Sequence, residues 1–567
     1  MLLKRLKEYA DTRMELPPQL YSETAVRYII ELDATGRFLG ITDTSDPSNP
    51  RTKRGRRYLM PQVTRTSGIK PLLITDKPDY VLGLSKEEAK LDRAQAAHAA
   101  YRALLERCAA ATEAPEIRAV QKFLNDGCES LRIPEDFDLS NLITFRVDGV
   151  FPTELSAVQA FWARENAQDG DQAVVMQCII CGQRRPVLRS LQGTIKGIPG
   201  GQSSGTAIIS ANAKAFESYG LENSLIAPTC ADCGERSTKA LNELLASEQH
   251  RVILAGMAFV FWTRRPDAGF DFGLALTHPE SQQFAATLQS LFKGKQQPNV
   301  DEGAFYAVTL SASGGRTVVR DWLDTTVGDA KRALARWFAL QRIADDTGTV
   351  APPLGLYGLA GATVRELRDL PVTTARSLVR AALIGTPLPL ALLYQAVRRS
   401  RAEQSVTRQR AALIKLVLLS NATESEEGAM VELDTDRGGA YRYGRLLAVL
   451  AEIQRNAIGK AAIVDRFYGT ASSAPASVFA RLLRGAQPHL SKLERDKRGL
   501  AIILQERLEE VMSGITTFPT TLTLEEQGLF ALGFYHQRAY DRAQIAARAA
   551  RKRGDGAAPS SETESDV

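Results

Sequence analysis

The sequence predicts an α+β protein in which an irregular mixed N-terminal domain is followed by an all-α C-terminal region that forms a helical bundle. With 567 residues, the chain is long enough for two to four domains. Strand patterns recur in the first 326 residues without regular strand–helix alternation, which favours α+β over a doubly wound sheet. From about Val327 to Lys552, helical patterns dominate.

The N-terminal elements follow from hydrophobic patterning. Residues 2–9 form a short amphipathic helix, and residues 26–32 and 36–42 form a β-hairpin whose turn is residues 33–36. Ser85, with Glu88 three residues later, is the expected N-cap of a helix over residues 86–111. Further strands are expected near residues 144–150, 173–180, 252–263 and 304–311.

The C-terminal region contains apolar stripes at helical spacing over residues 441–458, 478–483 and 500–512. The last helix is expected to start at Thr523, with Glu526 as its capping partner. The predicted organisation is a mixed domain, a helical connecting region, a C-terminal bundle and a disordered tail, over residues 1–326, 327–429, 430–551 and 552–567.

Charge and hydropathy exclude several classes of protein. The 71 basic and 65 acidic residues give a net charge of +6, so anion binding must come from local clusters of basic residues. The longest apolar run, residues 252–262, is too short for a membrane helix. The first residues contain no apolar stretch after their charges, so no signal peptide is expected. We therefore expect a soluble cytoplasmic protein that does not associate with membranes.

Two Cys-x-x-Cys motifs are the most specific local signal. Four thiolates suit a structural zinc ion, although the gap between the motifs is longer than in standard zinc ribbons. The prediction is a zinc-clasped insertion, in which the metal joins both ends of residues 178–233; redox thiols and unpaired structural cysteines are the alternatives. A catalytic zinc would need an open ligand position. The predicted ligands are Cys178, Cys181, Cys230 and Cys233.

The two remaining cysteines, Cys108 and Cys128, are expected to be small buried hydrophobic residues.

Between Pro47 and Thr75 there is no acidic residue. Such a basic block on a loop punctuated by Gly and Pro indicates phosphate binding; the alternative is a solvated polar loop. Its basic members are Arg51, Lys53, Arg54, Arg56, Arg57, Arg65 and Lys70.

A glycine-rich segment, residues 191–212, lies between the two thiol pairs. Its glycines would let the backbone approach a nucleic-acid strand, with donors from Lys196, Gln202, Ser203 and Ser204; the alternative is a flexible surface loop. The match to G-x-S-x-G at residues 201–205 lacks the strand before and the helix after that a nucleophile elbow needs. Phosphate-loop, dinucleotide and H-E-x-x-H motifs are absent, so nucleic-acid binding or a scaffold role is favoured over catalysis.

Several long stretches together resemble the large subunit of the type I-C CRISPR Cascade, an RNA-guided DNA surveillance complex of antiviral defence. The strongest is IKGIPGGQSSGTAIISANAKAFESYG, followed by ALNELL, and the second is ALGFYHQRA. The others are MLLKRLKEYADTR, SGIKPLLITDKPDYVLG and ALIGTPLPLALLYQAVRRSR. Many relatives lack cysteines at the second thiol pair, so the zinc prediction rests on this chain alone.

The resemblance implies a non-catalytic DNA-binding and RNA-binding subunit beside the 5′ handle of the CRISPR RNA. Such a subunit recognises the protospacer-adjacent motif (PAM) on duplex DNA, helps to open the strands into an R-loop and recruits a separate helicase–nuclease. Its other partners are the displaced strand and the backbone and handle-binding subunits of Cascade. Guide pairing reads the target sequence, while the protein reads the short motif.

The resemblance also suggests roles for particular residues. The loop over residues 51–70 would contact motif DNA, and Lys196 and Gln202 would reach the RNA handle, a partner subunit or the point of strand separation. A basic ridge in the helical region would contact the displaced strand, although a solvated helix face is the alternative. The ridge consists of Arg398, Arg399 and Arg401.

Met430 is a candidate internal start. The family is expected to make a small helical subunit by internal translation of the same gene, and residues 426–429 can be encoded by a purine-rich ribosome-binding sequence. Residues 430–567 would be that subunit; an ordinary methionine is the alternative.

Two other functions remain open for the whole chain: a stand-alone zinc-containing nuclease or nucleic-acid-processing enzyme, and a purely architectural scaffold without motif-dependent duplex binding.

Overall fold

The computed structural model describes residues 2–554, and the chain divides by its internal contacts into two compact units. Unit 1 comprises Met1–Lys196 and Ser203–Glu243, and unit 2 comprises Gly197–Gln202 and Leu244–Val567. Within 2–554 the structure does not describe residues 16, 19, 47–53, 64–67, 86, 128–130, 132–136, 167–173, 192, 266–269, 280–301 and 421–427.

Unit 1 contains a two-stranded ribbon and a three-stranded sheet. The ribbon pairs β1 (Tyr21–Val26) antiparallel with β4 (Arg56–Pro61). In the sheet, β2 (Tyr28–Leu32) lies between β3 (Phe38–Asp43), to which it is antiparallel, and β5 (Ile143–Val147), to which it is parallel. The mixed pairing and the lack of strand–helix alternation agree with the predicted α+β class.

The predicted hairpin is present, but its first strand is shorter than expected. The Asp33 carboxylate accepts hydrogen bonds from the Thr35 and Arg37 amides at 2.8 and 2.9 Å, and Gly36 has φ +83°. The single strand predicted over residues 26–32 is interrupted at Arg27, which separates β1 from β2. The residues of the predicted strand are therefore divided between two different sheets.

Four of the helices of unit 1, α2 to α5, pack around Tyr101, Leu105 and Phe145, which lie in one buried cluster. The predicted N-cap Ser85 is wrong, because its hydroxyl accepts a hydrogen bond from the Glu87 amide at 3.3 Å and α3 begins only at Leu91. The unit contains α1 (Leu2–Arg13), α2 (Pro78–Val81), α3 (Leu91–Thr112), α4 (Pro115–Lys122), α5 (Ser156–Glu165), the hairpin of β6 (Val175–Gln177) and β7 (Arg184–Pro186), and most of α6 (Ala231–Ala246).

Unit 2 begins with a four-stranded antiparallel sheet of order β11-β10-β9-β8. The single strand predicted over residues 252–263 is in fact two strands, because Ala255 and Gly256 adopt φ values of +52° and +69° and reverse the chain. The strands are β8 (Arg251–Leu254), β9 (Met257–Thr263), β10 (Ala304–Ser313) and β11 (Arg316–Thr326).

The predicted helical C-terminal region is confirmed. The sheet residues Phe259 and Phe305 share one core with helical residues such as Trp337, Leu446 and Phe534. The helices are α7 (Phe272–Thr277), α8 (Val327–Gln341), α9 (Leu356–Gly361), α10 (Val372–Ile384), α11 (Leu390–Glu403), α12 (Arg408–Leu418), α13 (Ala440–Ile458), α14 (Ala462–Ala471), α15 (Phe479–Asp496), α16 (Arg498–Ser513) and α17 (Leu524–Gly554).

The predicted boundary after residue 326 marks the change from strands to helices, whereas the compact unit already begins at Leu244. The division of the chain into domains stays a prediction. The capping box at the last helix is confirmed, because the Thr523 amide donates to Glu526 at 2.7 Å and the Glu526 amide donates to the Thr523 hydroxyl at 3.3 Å. No helix of the described residues has the length and apolar character needed to cross a membrane.

Unit 2 buries ionisable groups in its core. Lys415 is fully buried and donates to the carbonyl of Arg342 at 2.6 Å, and burial lowers its pKa to about 8. His536 is also buried, and its Nδ1 lies 2.9 Å from the Tyr441 hydroxyl. The same hydroxyl accepts a hydrogen bond from the Asp434 amide at 3.2 Å. Burial, then the Lys415 charge, lowers the His536 pKa to about 3.

Candidate metal centre and nucleic-acid surfaces

The four predicted zinc ligands lie together in unit 1. Their sulfur atoms all lie within 4.8 Å of one another, and every thiol except that of Cys181 is buried. The first pair lies in the turn between β6 and β7, where the Cys178 amide donates to the Gln183 carbonyl at 2.9 Å. Gly182 closes this turn with φ +74°, a conformation that favours glycine. The second pair lies at the start of α6, so its thiols adjoin a helix N-terminus.

Backbone hydrogen bonds connect the two thiol pairs. The Ile179 amide donates to the Pro228 carbonyl at 2.9 Å, and the Leu188 amide donates to the Thr229 carbonyl at 2.9 Å. The Cys230 amide lies 3.4 Å from the Cys178 sulfur, as expected of an amide that would hydrogen-bond to a thiolate. The ends of the insertion are therefore joined by backbone as well as by the sulfur cluster.

The thiols affect one another's ionisation. Hydrogen bonding from Cys233 lowers the pKa of Cys230 to about 5, while hydrogen bonding with Cys230, followed by burial, raises the pKa of Cys233. One thiolate forms readily and opposes the ionisation of its neighbour, because like charges at this distance repel. A divalent cation would remove this opposition, and four sulfur ligands match the tetrahedral preference of zinc. The cluster is therefore compatible with a structural metal.

The glycine-rich segment is ordered by specific contacts rather than being a free loop. Ile195 and Thr206 exchange backbone hydrogen bonds at 2.7 and 2.8 Å. Asn242 of α6 accepts from the Lys196 amide at 2.8 Å and donates to the Thr194 carbonyl at 2.9 Å. Gly205 has φ +101°, and a Cβ atom there would lie 2.4 Å from the Thr194 hydroxyl, so a side chain is excluded.

The predicted donors of this segment belong to different units. Lys196 is exposed and belongs to unit 1, whereas Gln202 is exposed and belongs to unit 2. Ser203 and Ser204 form an exposed turn that no helix follows, so the structural context of a nucleophile elbow is missing there. The donors therefore do not form a single cradle within one unit.

A pocket of about 360 Å³ in unit 1 lies between the glycine-rich segment, α6 and the end of the β1–β4 ribbon. Lys196, Lys239, Asn242 and Gln62 contribute polar groups to its lining. The Lys239 ammonium group lies 2.7 Å from the Glu235 carboxylate, one helical turn away. Sequence reasoning missed Lys239 and Asn242. The Glu235–Lys239 pair gives no signal of a site, because an i,i+4 charge pair is common on any exposed helix.

The described members of the N-terminal basic block are all exposed. Arg54, Arg56, Arg57 and Lys70 form no ion pair within the part of the chain that the structure describes. The prediction of a loop over residues 51–70 is wrong at residues 56–61, which form β4, so a paired ribbon fixes the backbone of Arg56 and Arg57. The predicted residues Arg51, Lys53 and Arg65 lie outside the described residues, as does Cys128.

The base of the basic loop is closed by one buried threonine. The Thr44 hydroxyl donates to the Val26 carbonyl at 2.6 Å and accepts from the Arg56 amide at 2.9 Å. Gly55 has φ +96°, and a Cβ atom there would lie 2.1 Å from the Val26 oxygen. The chain therefore enters the ribbon at β4 through a rigid junction, which lies beside Arg54 and Arg56.

The predicted arginine ridge lies on α11 in unit 2. Arg398 and Arg401 are exposed, whereas Arg399 is partly buried and pairs with Glu403. The ridge is thus not a uniform row of free charges.

Met430 is buried, has φ +55° and lies in a turn before α13. Its side chain packs in the core of unit 2.

Cys108 is buried as predicted, and burial raises its pKa to about 11.

These features define a class of protein that has a metal-compatible thiol cluster and separate basic surfaces. In a comparison with protein families, a model described as CRISPR-associated protein (Cas_Csd1) matches residues 3–540 of the chain. The chain belongs to this family. No curated protein matches the chain significantly. The family agrees with the resemblance found in the sequence at the level of CRISPR-associated proteins.

Proposed function

We propose that the chain is the large subunit of a type I-C CRISPR interference complex and recognises the protospacer-adjacent motif on duplex DNA. The family match over residues 3–540 carries this proposal. Arg54, Arg56, Arg57 and Lys70 are exposed and form no ion pair with the residues that the structure describes, and this supports the proposal, because basic groups free of carboxylates can bind phosphates without first losing a partner.

In this proposal the ribbon presents the basic loop to the duplex. Phosphate contacts would fix the register of the protein on DNA, and one or two arginines would reach guanine edges in the major groove. The rigid junction at Thr44 and Gly55 favours specific readout, because side chains on a fixed backbone lose less entropy on binding. Opening of the duplex then allows pairing with the CRISPR RNA.

The remaining partners follow from the same assignment. The CRISPR RNA handle and the backbone and handle-binding subunits would contact unit 1 near Lys196 and the 360 Å³ pocket. The displaced strand would contact the ridge that contains Arg398, Arg399 and Arg401. A separate helicase–nuclease would cut the target, so the chain itself would be non-catalytic.

We also propose that Cys178, Cys181, Cys230 and Cys233 hold a structural zinc ion. Their sulfur atoms lie within 4.8 Å of one another, and the backbone already brings both pairs together. Zinc would supply a closed, redox-inert cross-link. The chain would use it to keep the glycine-rich segment in place against α6.

A stand-alone zinc-containing nuclease is the second candidate function, and it has less support. Four thiolates leave no open metal position for water or substrate. Among the residues that the structure describes, the cysteine cluster is the only group of three or more metal-binding side chains brought together. Robust DNA cleavage by the purified chain with a divalent metal would reverse this preference.

Residues 430–567 are proposed as a second, internally initiated product. Met430 precedes α13–α17, which pack together in the helical core. Replacing its codon by one that cannot initiate should abolish a small band recognised by a C-terminal antibody. An unchanged small band would contradict the proposal.

The motif-recognition proposal is tested by duplex binding of the assembled complex across all motif variants. Arg54→Ala, Arg57→Ala and Lys70→Ala are compared with Arg118→Ala, an exposed arginine on α4 of the same unit. A lost phosphate contact should weaken all sequences alike, whereas a lost base contact should relax preference at one position and cost about 1–3 kcal/mol. Binding unaffected by all three changes would contradict the assignment of this loop.

A further inference from the structure

A carboxylate at the end of α11 pairs with one arginine of the ridge and with a buried arginine of α12. Glu403, at the end of α11, pairs with Arg399 one turn earlier and with Arg410 of α12. Arg410 is the more buried of the two, with 7% of its side chain exposed, and it also donates to the Ser405 carbonyl at 3.0 Å. The Glu403 side chain remains 38% exposed, so solvent and ligands can reach it.

The neighbouring guanidinium groups have no such partner. Arg365, Arg398 and Arg401 are exposed and form no ion pair within the described residues. Burial lowers the pKa of Arg399, and the charges of Arg410, Arg365 and Arg398 lower it further, which locates these groups around it. Burial raises the pKa of the Tyr468 hydroxyl, and the charges of Arg410 and Arg401 both oppose this rise. One carboxylate thus faces an excess of positive charge.

Two donors of this cluster are unused. The Nε atoms of Arg399 and Arg410 are buried and have no hydrogen-bond partner within the described residues. A buried charged group with an unsatisfied donor costs free energy, which a better acceptor would recover. Glu403 gives one oxygen to each arginine, whereas a phosphate group offers more acceptor oxygens and can bind a guanidinium group through two hydrogen bonds.

We propose that Glu403 occupies the place of a nucleic-acid phosphate, and that a bound single strand of DNA displaces this carboxylate from Arg399 and Arg410. The inference rests on the proposed function and deepens it, because it assigns Arg365, Arg410 and Glu403 to the surface that contacts the displaced strand. Glu403 would be an internal competitor that weakens binding of unselected strands.

The surroundings favour a strand over a single small anion. Tyr394 precedes Arg398 by one helical turn and Arg401 by two, so the three side chains share one face of α11. The Tyr394 side chain is 55% exposed and can stack on a base. A row of exposed arginines beside an exposed aromatic ring matches the alternation of phosphates and bases in a single strand.

The test measures the affinity of the full-length chain for a labelled oligothymidylate of about 20 nucleotides, the probe for sequence-independent strand binding. Glu403→Gln removes the competing charge, and Glu366→Gln, whose carboxylate pairs with Arg368 instead, is the matched control for net charge. We expect Glu403→Gln to bind about 3–10-fold more tightly at low salt and the control to change by less than about 2-fold. Equal affinities of the two variants would overturn the inference.

A second pair of variants guards against a folding defect in Glu403→Gln. Arg365→Ala changes an exposed side chain and should lower the slope of log affinity against log salt concentration by about 0.7, while Arg365→Lys should restore it. An unchanged slope in Arg365→Ala would also overturn the inference. If the complex still recognises its duplex motif in either case, the proposed function stands. A wild-type complex that shows no motif-dependent binding would instead refute the proposed function.

Discussion

The basic side chains of the two units differ in how they are held. In unit 1, Arg54, Arg56 and Arg57 are exposed, form no ion pair within the described part of the chain, and lie at or beside the start of β4 in the ribbon. In unit 2, Arg399 and Arg410 are partly or fully buried and share Glu403. In the proposals made above, the arginines of unit 1 would bind a phosphate group directly. Arg399 and Arg410 of unit 2 would bind one only after losing their carboxylate partner.

The cores differ in a related way. Unit 1 combines a moderate apolar core with a separate cluster built around the four cysteines. Unit 2 has one extensive core that also encloses the ionisable Lys415 and His536. The stability of unit 1 should therefore depend on thiol chemistry and that of unit 2 on pH.

The largest expected effect is at the thiol cluster. Cys178→Ser should remove bound zinc, about one ion per chain in the wild type, and destabilise unit 1 by more than about 4 kcal/mol. Trypsin should then cleave faster within residues 178–233, which contain Lys196 and several arginines. The measurements are metal content and the rate of proteolysis.

Cys108→Ala is the matched control, because Cys108 is a buried thiol outside the cluster. It should leave metal content unchanged and cost only about 1 kcal/mol. A metal-free protein whose insertion stays equally resistant to trypsin would remove the proposed contrast between the units.

The next effect tests whether the basic loop needs its rigid junction. Gly55→Ala should destabilise unit 1 by about 3 kcal/mol, because a positive φ and a clash with the Val26 carbonyl act together. Gly68→Ala is the control, since Gly68 has φ +76° but open space around it, and it should cost about 1 kcal/mol. Chemical denaturation compares them; equal losses would mean that the close approach at Gly55 is unimportant.

The smallest of the three effects concerns acid. The folded pKa of His536 is about 3, below the value of 6.5 of an unperturbed histidine, so the unfolded chain binds more protons between these values. The stability of unit 2 should therefore fall as pH decreases from 6.5 towards 3, by about 2 kcal/mol at pH 5. His536→Gln keeps an acceptor for Tyr441 without titrating, and its unfolding free energy should vary less over this range. An identical pH dependence would exclude His536 as the cause.

Some features with a specific residue spacing were predictable from the sequence, whereas a turn inside an apolar run and groupings made by helix packing were not. The cysteine spacing predicted the sulfur cluster, and Thr523 with Glu526 predicted the capping box. The reversal at Ala255 and Gly256 was missed, because a long apolar run masked the turn signal of one glycine.

The site residues show the same limit. Arg365, Arg399 and Arg410 come from separate segments, and only packing of the helices of unit 2 brings their charges together. Hydrophobic periodicity indicates which face of a helix is buried, but not which neighbouring helix covers it. The role proposed for Glu403 therefore required tertiary structure.

The assignment of Gly197–Gln202 to unit 2, within a stretch otherwise belonging to unit 1, has a practical consequence for dissecting the gene. A single cut after residue 243 would not separate the two units. A fragment ending at residue 243 would contain Gly197–Gln202 without the downstream residues with which it packs. Separate expression of unit 1 would require replacing Gly197–Gln202 by a short linker, so that the fragment does not contain a segment that belongs to unit 2.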